Sequence, residues 1–301
     1  MQTIEALRRQ IDSAEDLHSV VKTMKALAAV SIHQFEEASE SIRTYNRAVE
    51  LGLQILVRSQ AANFVDVRPH RDQPLGVVVF GSAQGMCGQF NEDLTEFVDG
   101  ELISWAEARE ELVLCVLGDK AAGLMSGHGY EVQQQLTVPS SVSAITAGVR
   151  DVLEVLDTWQ QQQIMRVALC FNQRTGGATY EPHWLQILPL DMDWVRDLAN
   201  RPWESRCLPT HRLSWQEAFA ALVREHLFVS LFRAFAESLA SENASRLAAM
   251  QGAESNIEDR LEELHDSYNH QRQNSITSEL LDIASGYEAL RKDESEDESD
   301  D

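Results

Sequence analysis

The sequence predicts an α/β domain held between two long helices, one at each end of the chain, that pair as an antiparallel coiled coil. Three observations lead there. All seven prolines, Pro69 to Pro209, and twelve of the fifteen glycines fall in the middle of the 301-residue chain, leaving only Gly52, Gly252 and Gly286 outside it. Both ends carry apolar residues at helical spacing. The middle alternates short β-branched runs with helical patterns.

The first helix rests on a seam taken in steps of three and four: Ile4, Leu7, Ile11, Ala14, His18, Val21, Met24, Ala28, Ser31, Phe35, Ala38, Ile42, Tyr45, Val49, Gly52 and Leu56. Thirteen of these sixteen are apolar or aromatic, the exceptions being His18, Ser31 and Gly52. A 3.5-residue repeat kept this long exceeds what a globular helix needs and marks a coiled coil. In the middle, LGVVVF (75–80), ELVLCVLG (111–118) and MRVALCFNQ (165–173) read as strands, with WLQILPL (184–190) as a further edge strand. Helical patterns over 91–110 and 144–162 lie between them, so the sheet is expected to be parallel or mostly parallel. From Trp215 the helical spacing returns through Phe219, Leu222, Phe232, Phe235, Leu239, Leu247, Met250, Ile257, Leu261, Leu264 and Tyr268, with no proline to stop it before about Leu290.

These elements divide the chain into a helix at 1–57, a connector at 58–74, an α/β domain at 75–195, a connector at 196–212, a helix at 213–290 and a disordered acidic tail at 291–301. If residue 57 lies level with 215 in an antiparallel pair, residue 3 lies level with about 269 at 1.5 Å per residue. The second helix then runs on alone. The polar group Asn269, Gln271, Arg272, Gln273, Asn274 and Ser275 marks where the seam stops, yet Ile276, Leu280 and Ile283 keep apolar spacing beyond it. A lone helix in water has no use for them, so other proteins are expected to surround it.

Composition narrows the partners. A net charge of −23 argues against nucleic acid or an anionic membrane surface, both of which reward clustered Lys and Arg. Seven of those acids sit in the last nine residues, DESEDESDD. Cys87, Cys115, Cys170 and Cys207 lack CxxC or Cys/His spacing suited to zinc and read as buried free thiols of a reducing compartment. No cofactor, no metal, no catalytic residue, no signal peptide and no membrane span are expected.

Three motifs carry a resemblance to a known family: IDSAEDLHSVVKTMKALAAVSI (11–32), FGSAQGMCGQFN (80–91), and SENASRLAAMQGAESN (241–256) with SYNHQRQNSITSELLDIASGYEAL (267–290). Over nearly its whole length the chain resembles the gamma subunit of a rotary, F-type ATP synthase. The resemblance implies a non-catalytic rotor shaft, one copy per complex, whose end helices turn in the bore of a hexamer of alpha and beta subunits. Its α/β domain would grip the epsilon subunit and the membrane ring of c subunits, and it would couple ion transport to ATP synthesis or hydrolysis. By position, Arg272 and Gln273 match an arginine-glutamine pair that hydrogen-bonds to a beta-subunit loop, with Thr277 and Glu279 nearby. Met24 and Lys25 match a first-helix pair near the beta subunits, and Arg246 an arginine close to it. Asp16, Leu17, His18 and Ser19 replace the family's usual Asn-Thr-Gln-Lys, Ala83 its aspartate and Gln89 its glycine. These departures and the acidity indicate a divergent branch, from a second, specialised ATPase set peripheral to the cytoplasmic face of a bacterial inner membrane.

Two other readings compete. GSAQGMCG (81–88) is a Gly-rich turn after a strand, but its G-x3-G-x2-G spacing is neither a dinucleotide fingerprint nor a P-loop. A tight turn with unusual backbone angles at Gly85 and Gly88 accounts for it, against nucleotide binding or a Cys87 nucleophile. A static coiled-coil scaffold would account for both helices, though not for the apolar spacing past the seam.

Overall fold

The computed structural model describes residues 3–59, 73–105, 112–176, 179–203, 207 and 212–297. Outside them lie most of the connector expected at 58–74, much of that expected at 196–212, the end of the helix expected over 91–110, and 298–301 of the acidic tail. In order, the elements are α1 (Ile4–Ser59), β1 (Leu75–Phe80), α2 (Phe90–Trp105), β2 (Leu112–Leu117), α3 (Asp119–Gly127), β3 (Val132–Leu136), α4 (Val142–Gln161), β4 (Arg166–Gly176), β5 (Thr179–Leu188), α5 (Met192–Asn200) and α6 (Trp215–Asp297). They form two compact units, residues 26–249 and residues 1–25 with 250–301.

The larger unit is built on a five-stranded sheet of order β3-β2-β1-β4-β5, parallel except for the antiparallel β4–β5 pair at one edge. Every residue of β1 is buried, as its unbroken apolar run demands of a central strand covered on both faces. Period-two alternation divides it: Val78 and Phe80 join Ile145, Val149, Val152 and Trp159 of α4 and Leu231 to Ala240 of α6. Leu75, Val77 and Val79 face Leu94, Val98 and Leu102 of α2 with Ala121 and Met125 of α3. The sheet is thus the middle of three layers. One of the outer layers belongs partly to a terminal helix.

In that unit α1 and α6 run antiparallel. The Tyr45 hydroxyl donates to Glu225 at 2.6 Å, and eleven residues further along α1 the Leu56 carbonyl accepts from the Trp215 indole at 3.0 Å. Tyr45 alone among the sixteen seam residues is exposed, its phenol turned outward to that carboxylate. α6 begins at a complete capping box, in which Ser214 Oγ accepts from the Glu217 amide and Glu217 accepts in return from the Ser214 amide at 3.0 Å. Glu217's carboxyl is lowered from its ordinary value, first by the Ser214 hydroxyl.

The smaller unit is the same kind of pair. Leu7 and Ile11 of α1 pack with Leu264 of α6, flanked by Ala14, Leu261 and Tyr268. Past Tyr268 no described residue of α6 is buried.

Three features depart from the sequence reading. α5 crosses the boundary expected at 195/196, because Asp191 caps it by accepting from the Asp193 amide at 2.9 Å and Val195 and Leu198 are buried beneath it. β3, VQQQL, escapes an apolar scan because it is an edge strand with alternate residues exposed. α6 stays helical to Asp297, past the expected end at 290, since adding residues to a formed helix costs far less than nucleating one.

Candidate functional site

The Gly-rich loop after β1 is a packing joint. A Cβ at Gly81 would lie 2.1 Å from that of Ala121, so only glycine lets the chain leave β1 against α3. The left-handed residues are Met86 (φ 60°) and Gly88 (φ 59°), and Gly85 is not among them. That corrects the expectation for Gly85: the turn is tight enough to force a methionine into the less favoured region. Asn91 closes the loop, accepting from the Ser82 amide at 2.9 Å and donating to the Ser82 hydroxyl at 2.8 Å.

A row of serines on α6 locks this end of the sheet to the helix. Ser238 donates to the Phe80 carbonyl and Ser241 to the Asn172 carbonyl, both at 3.0 Å, and Ser245 donates to the Cys87 carbonyl. FGSAQGMCGQFN and SENASR therefore meet in space, and their contact is structural. Burial raises the Cys87 thiol above its ordinary value, the wrong direction for a nucleophile. Cys115 and Cys170 are also buried, whereas Cys207 is exposed, contrary to the reading of all four as interior thiols. The large cavity among the described residues, an open cleft of about 1320 Å³ edged by Arg43, Arg47, His183, Trp194, Arg196 and Arg233, does not include the loop.

Arg246 is buried and donates to Glu242 one turn earlier at 2.6 Å. Burial raises the Glu242 carboxyl, and the guanidinium opposes that rise. Met24 is half-buried, and Lys25 makes an ion pair with Glu254 of α6 that holds the Glu254 carboxyl below its ordinary value. Arg272, Gln273, Thr277 and Glu279 are different. All four are exposed, and no hydrogen bond or ion pair engages their side chains among the described residues. Ile276, Leu280, Leu281 and Ile283, 47 to 70% exposed, share that stretch of α6.

A family model described as ATP synthase matches residues 3–290, taking in both long helices and the whole α/β unit. The chain belongs to the ATP synthase gamma-chain family. It is 27% identical to the ATP synthase gamma chain of Magnetococcus marinus over 97% of its own length and all of the relative's. To that of Nitrosomonas eutropha it is 24% identical, over 96% and 100%. Its fold is similar to a chain of the Euglena gracilis mitochondrial ATP synthase rotor, with TM-score 0.61, 18% identity, and 91% and 98% of the two chains covered. A chain of the Tetrahymena thermophila mitochondrial ATP synthase central stalk and c-ring gives TM-score 0.57 and 19% identity, over 78% and 99%.

The family match extends past the last seam contact, through Arg272 and Gln273. The residues carried over from the family therefore lie in two kinds of place. Arg246 and Lys25 are committed within the chain, and Arg272, Gln273, Thr277 and Glu279 are free to meet another one. The serine row escaped the sequence reading. Its signal was there, in hydroxyls at positions 238, 241 and 245 along an otherwise apolar helix face.

Proposed function

We infer that this chain is the central shaft, the gamma subunit, of a rotary F-type ATP synthase or ATPase. It carries torque between a membrane c-ring and the catalytic beta subunits and has no catalytic site of its own. The observation that carries this reading is the unpaired end of α6, where isoleucines and leucines stay in water on a helix with no partner among the described residues. Exposed apolar side chains at helical spacing are the mark of a surface made to be surrounded. The alpha and beta hexamer supplies that surround. Arg272 and Gln273, with Thr277 and Glu279, then face a beta-subunit loop. Directional, charge-assisted hydrogen bonds from an arginine fork can break and reform as the shaft turns, whereas a fully apolar anchor would hold one angle. Met24, Lys25 and Arg246 complete this interface from the paired part of the shaft, Lys25 and Arg246 as residues that also brace it. The α/β unit meets epsilon and the c-ring. The complex is peripheral to a membrane, and the free thiols of Cys87, Cys115 and Cys170 fit a reducing compartment such as the cytoplasmic face of a bacterial inner membrane.

Affinity purification of the full chain from its own cells tests this. Alpha, beta, gamma and epsilon subunits are expected in a 3:3:1:1 ratio, and a static scaffold would bring down none of the others. In the same preparations, Arg272→Ala with Gln273→Ala should leave assembly intact and lower coupled ATP turnover. Unchanged turnover would remove the role given to that pair.

A further inference from the structure

One cluster of side chains has no part in the shaft reading. His18 occupies a seam position that its neighbours fill with apolar residues, and it lies opposite Glu254 and Glu258 of α6. The two glutamates are four apart, one helical turn, so both point to the same side. His18 Nε2 is 3.4 Å from Glu258 Oε1 and 4.0 Å from Glu254 Oε1, and the three ligand atoms lie within 4.8 Å of one another. Among the described residues, Nε2 is shut off from water and has no hydrogen-bond partner. A polar atom left so costs stability unless something satisfies it.

We propose that His18, Glu254 and Glu258 bind one divalent transition-metal ion, zinc, which ties α1 to α6. Zinc bonds of about 2.0–2.1 Å to nitrogen and oxygen set neighbouring ligand atoms roughly 3.4 Å apart in a tetrahedron. The His18–Glu258 edge already has that length. The Glu254–Glu258 edge closes by rotation of Glu258, whose side chain is 61% exposed, and the 4.0 Å His18–Glu254 edge by a shift of about half an ångström between those two side chains. Glu254 is oriented for the ion: Lys25 holds its Oε2, leaving Oε1 toward His18. An outer partner of this kind fixes a metal ligand's orientation. One imidazole and two carboxylates suit zinc better than magnesium or calcium, which prefer oxygen alone. Three protein ligands leave the fourth position to water, and the strongly negative chain draws cations toward it. A search for cysteine spacing could not have found this site, because its ligands come from both ends of the sequence.

The site belongs to the isolated chain and stands apart from the shaft reading. Full-length chain stripped with a chelator and titrated with Co²⁺, whose visible absorption reports low-symmetry nitrogen and oxygen ligation, should bind one equivalent. Zn²⁺ should displace it and raise the thermal unfolding temperature. His18→Gln and Glu258→Gln should each weaken binding by at least about tenfold, with helical circular dichroism unchanged. Glu258→Gln alters an exposed side chain, so it keeps the test valid if the His18 variant misfolds. His33→Gln, an exposed histidine on the same helix, should bind as the parent does. Absence of saturable Co²⁺ binding, or affinity in the Glu258 and His18 variants equal to the parent's, would overturn the proposal and leave His18 as an ion-pair residue only.

Discussion

Glu242 and Arg246 show what a buried charge does on a helix that must also fit a sheet. Both side chains are about nine-tenths buried, and each is tolerable only because the other is there. Glu242 binds its proton more tightly folded than unfolded, since burial raises its carboxyl. The folded state then holds more protons between the ordinary carboxylate range and that raised value, so this group's contribution falls as pH climbs through the window. Arg246→Met should widen the window by removing the opposing charge. Stability near neutral pH should drop by about 3–5 kcal/mol, recover on mild acidification, and return largely when Glu242→Gln is added. Urea unfolding of the full-length variants at the two pH values measures this, and a loss that acid does not relieve would contradict it. Glu254 behaves oppositely. Lys25 lowers it, so its contribution is present above the ordinary carboxylate range and lost as pH falls through the lowered value. Neither direction was legible in the sequence. Nothing in the sequence tells Glu242 or Glu254 from the other acids of that helix, and only the fold buries one beside Arg246 and sets the other beside a lysine from the far end of the chain.

The long helices were legible because a 3.5-residue seam and the confinement of proline are local signals that no tertiary contact has to complete. Their ends fall at Ser59 and Trp215, close to the expected 57 and 213. β1, β2 and β4 were legible for a related reason: strands buried on both faces are continuous apolar runs. β3 and α5 were not. Each takes its stability from neighbours distant in sequence, β3 from pairing with β2 and α5 from burying Val195 and Leu198. The same logic separates the parts of α6. Residues 231–240 are held in the sheet's core, whereas 269–286 bury no side chain among the described residues and form a helix section too weakly supported by propensity alone. Hydrogen exchange should therefore be slow over 231–240 in the purified chain and fast over 269–286, then slow over both in the assembled complex. Equal exchange of 269–286 before and after assembly would mean that nothing surrounds that end.

At the scale of the molecule, charge and length act together. The tail DESEDESDD places seven acids beyond Lys292, and the last turn of α6 has no basic residue to complement its dipole. Like charges gathered at the negative end of a helix weaken its last turns and resist condensation onto any acidic surface. In the shaft reading these residues extend past the apolar stretch that the hexamer encloses, so they add solvation without adding contact. A chain ending at Lys292 should accordingly fold with its α/β unit unchanged, lose seven negative charges, and enter the complex with undiminished yield on size exclusion. Because the removed repulsion is screened within about 10 Å at 0.1 M salt, any gain in helicity of the shortened chain should appear at low ionic strength and vanish as salt is added. Failure of the shortened chain to assemble would place the tail inside an interface. Its acids would then need basic partners on a neighbouring subunit, and the end of α6 would be held by charge as well as by its apolar face.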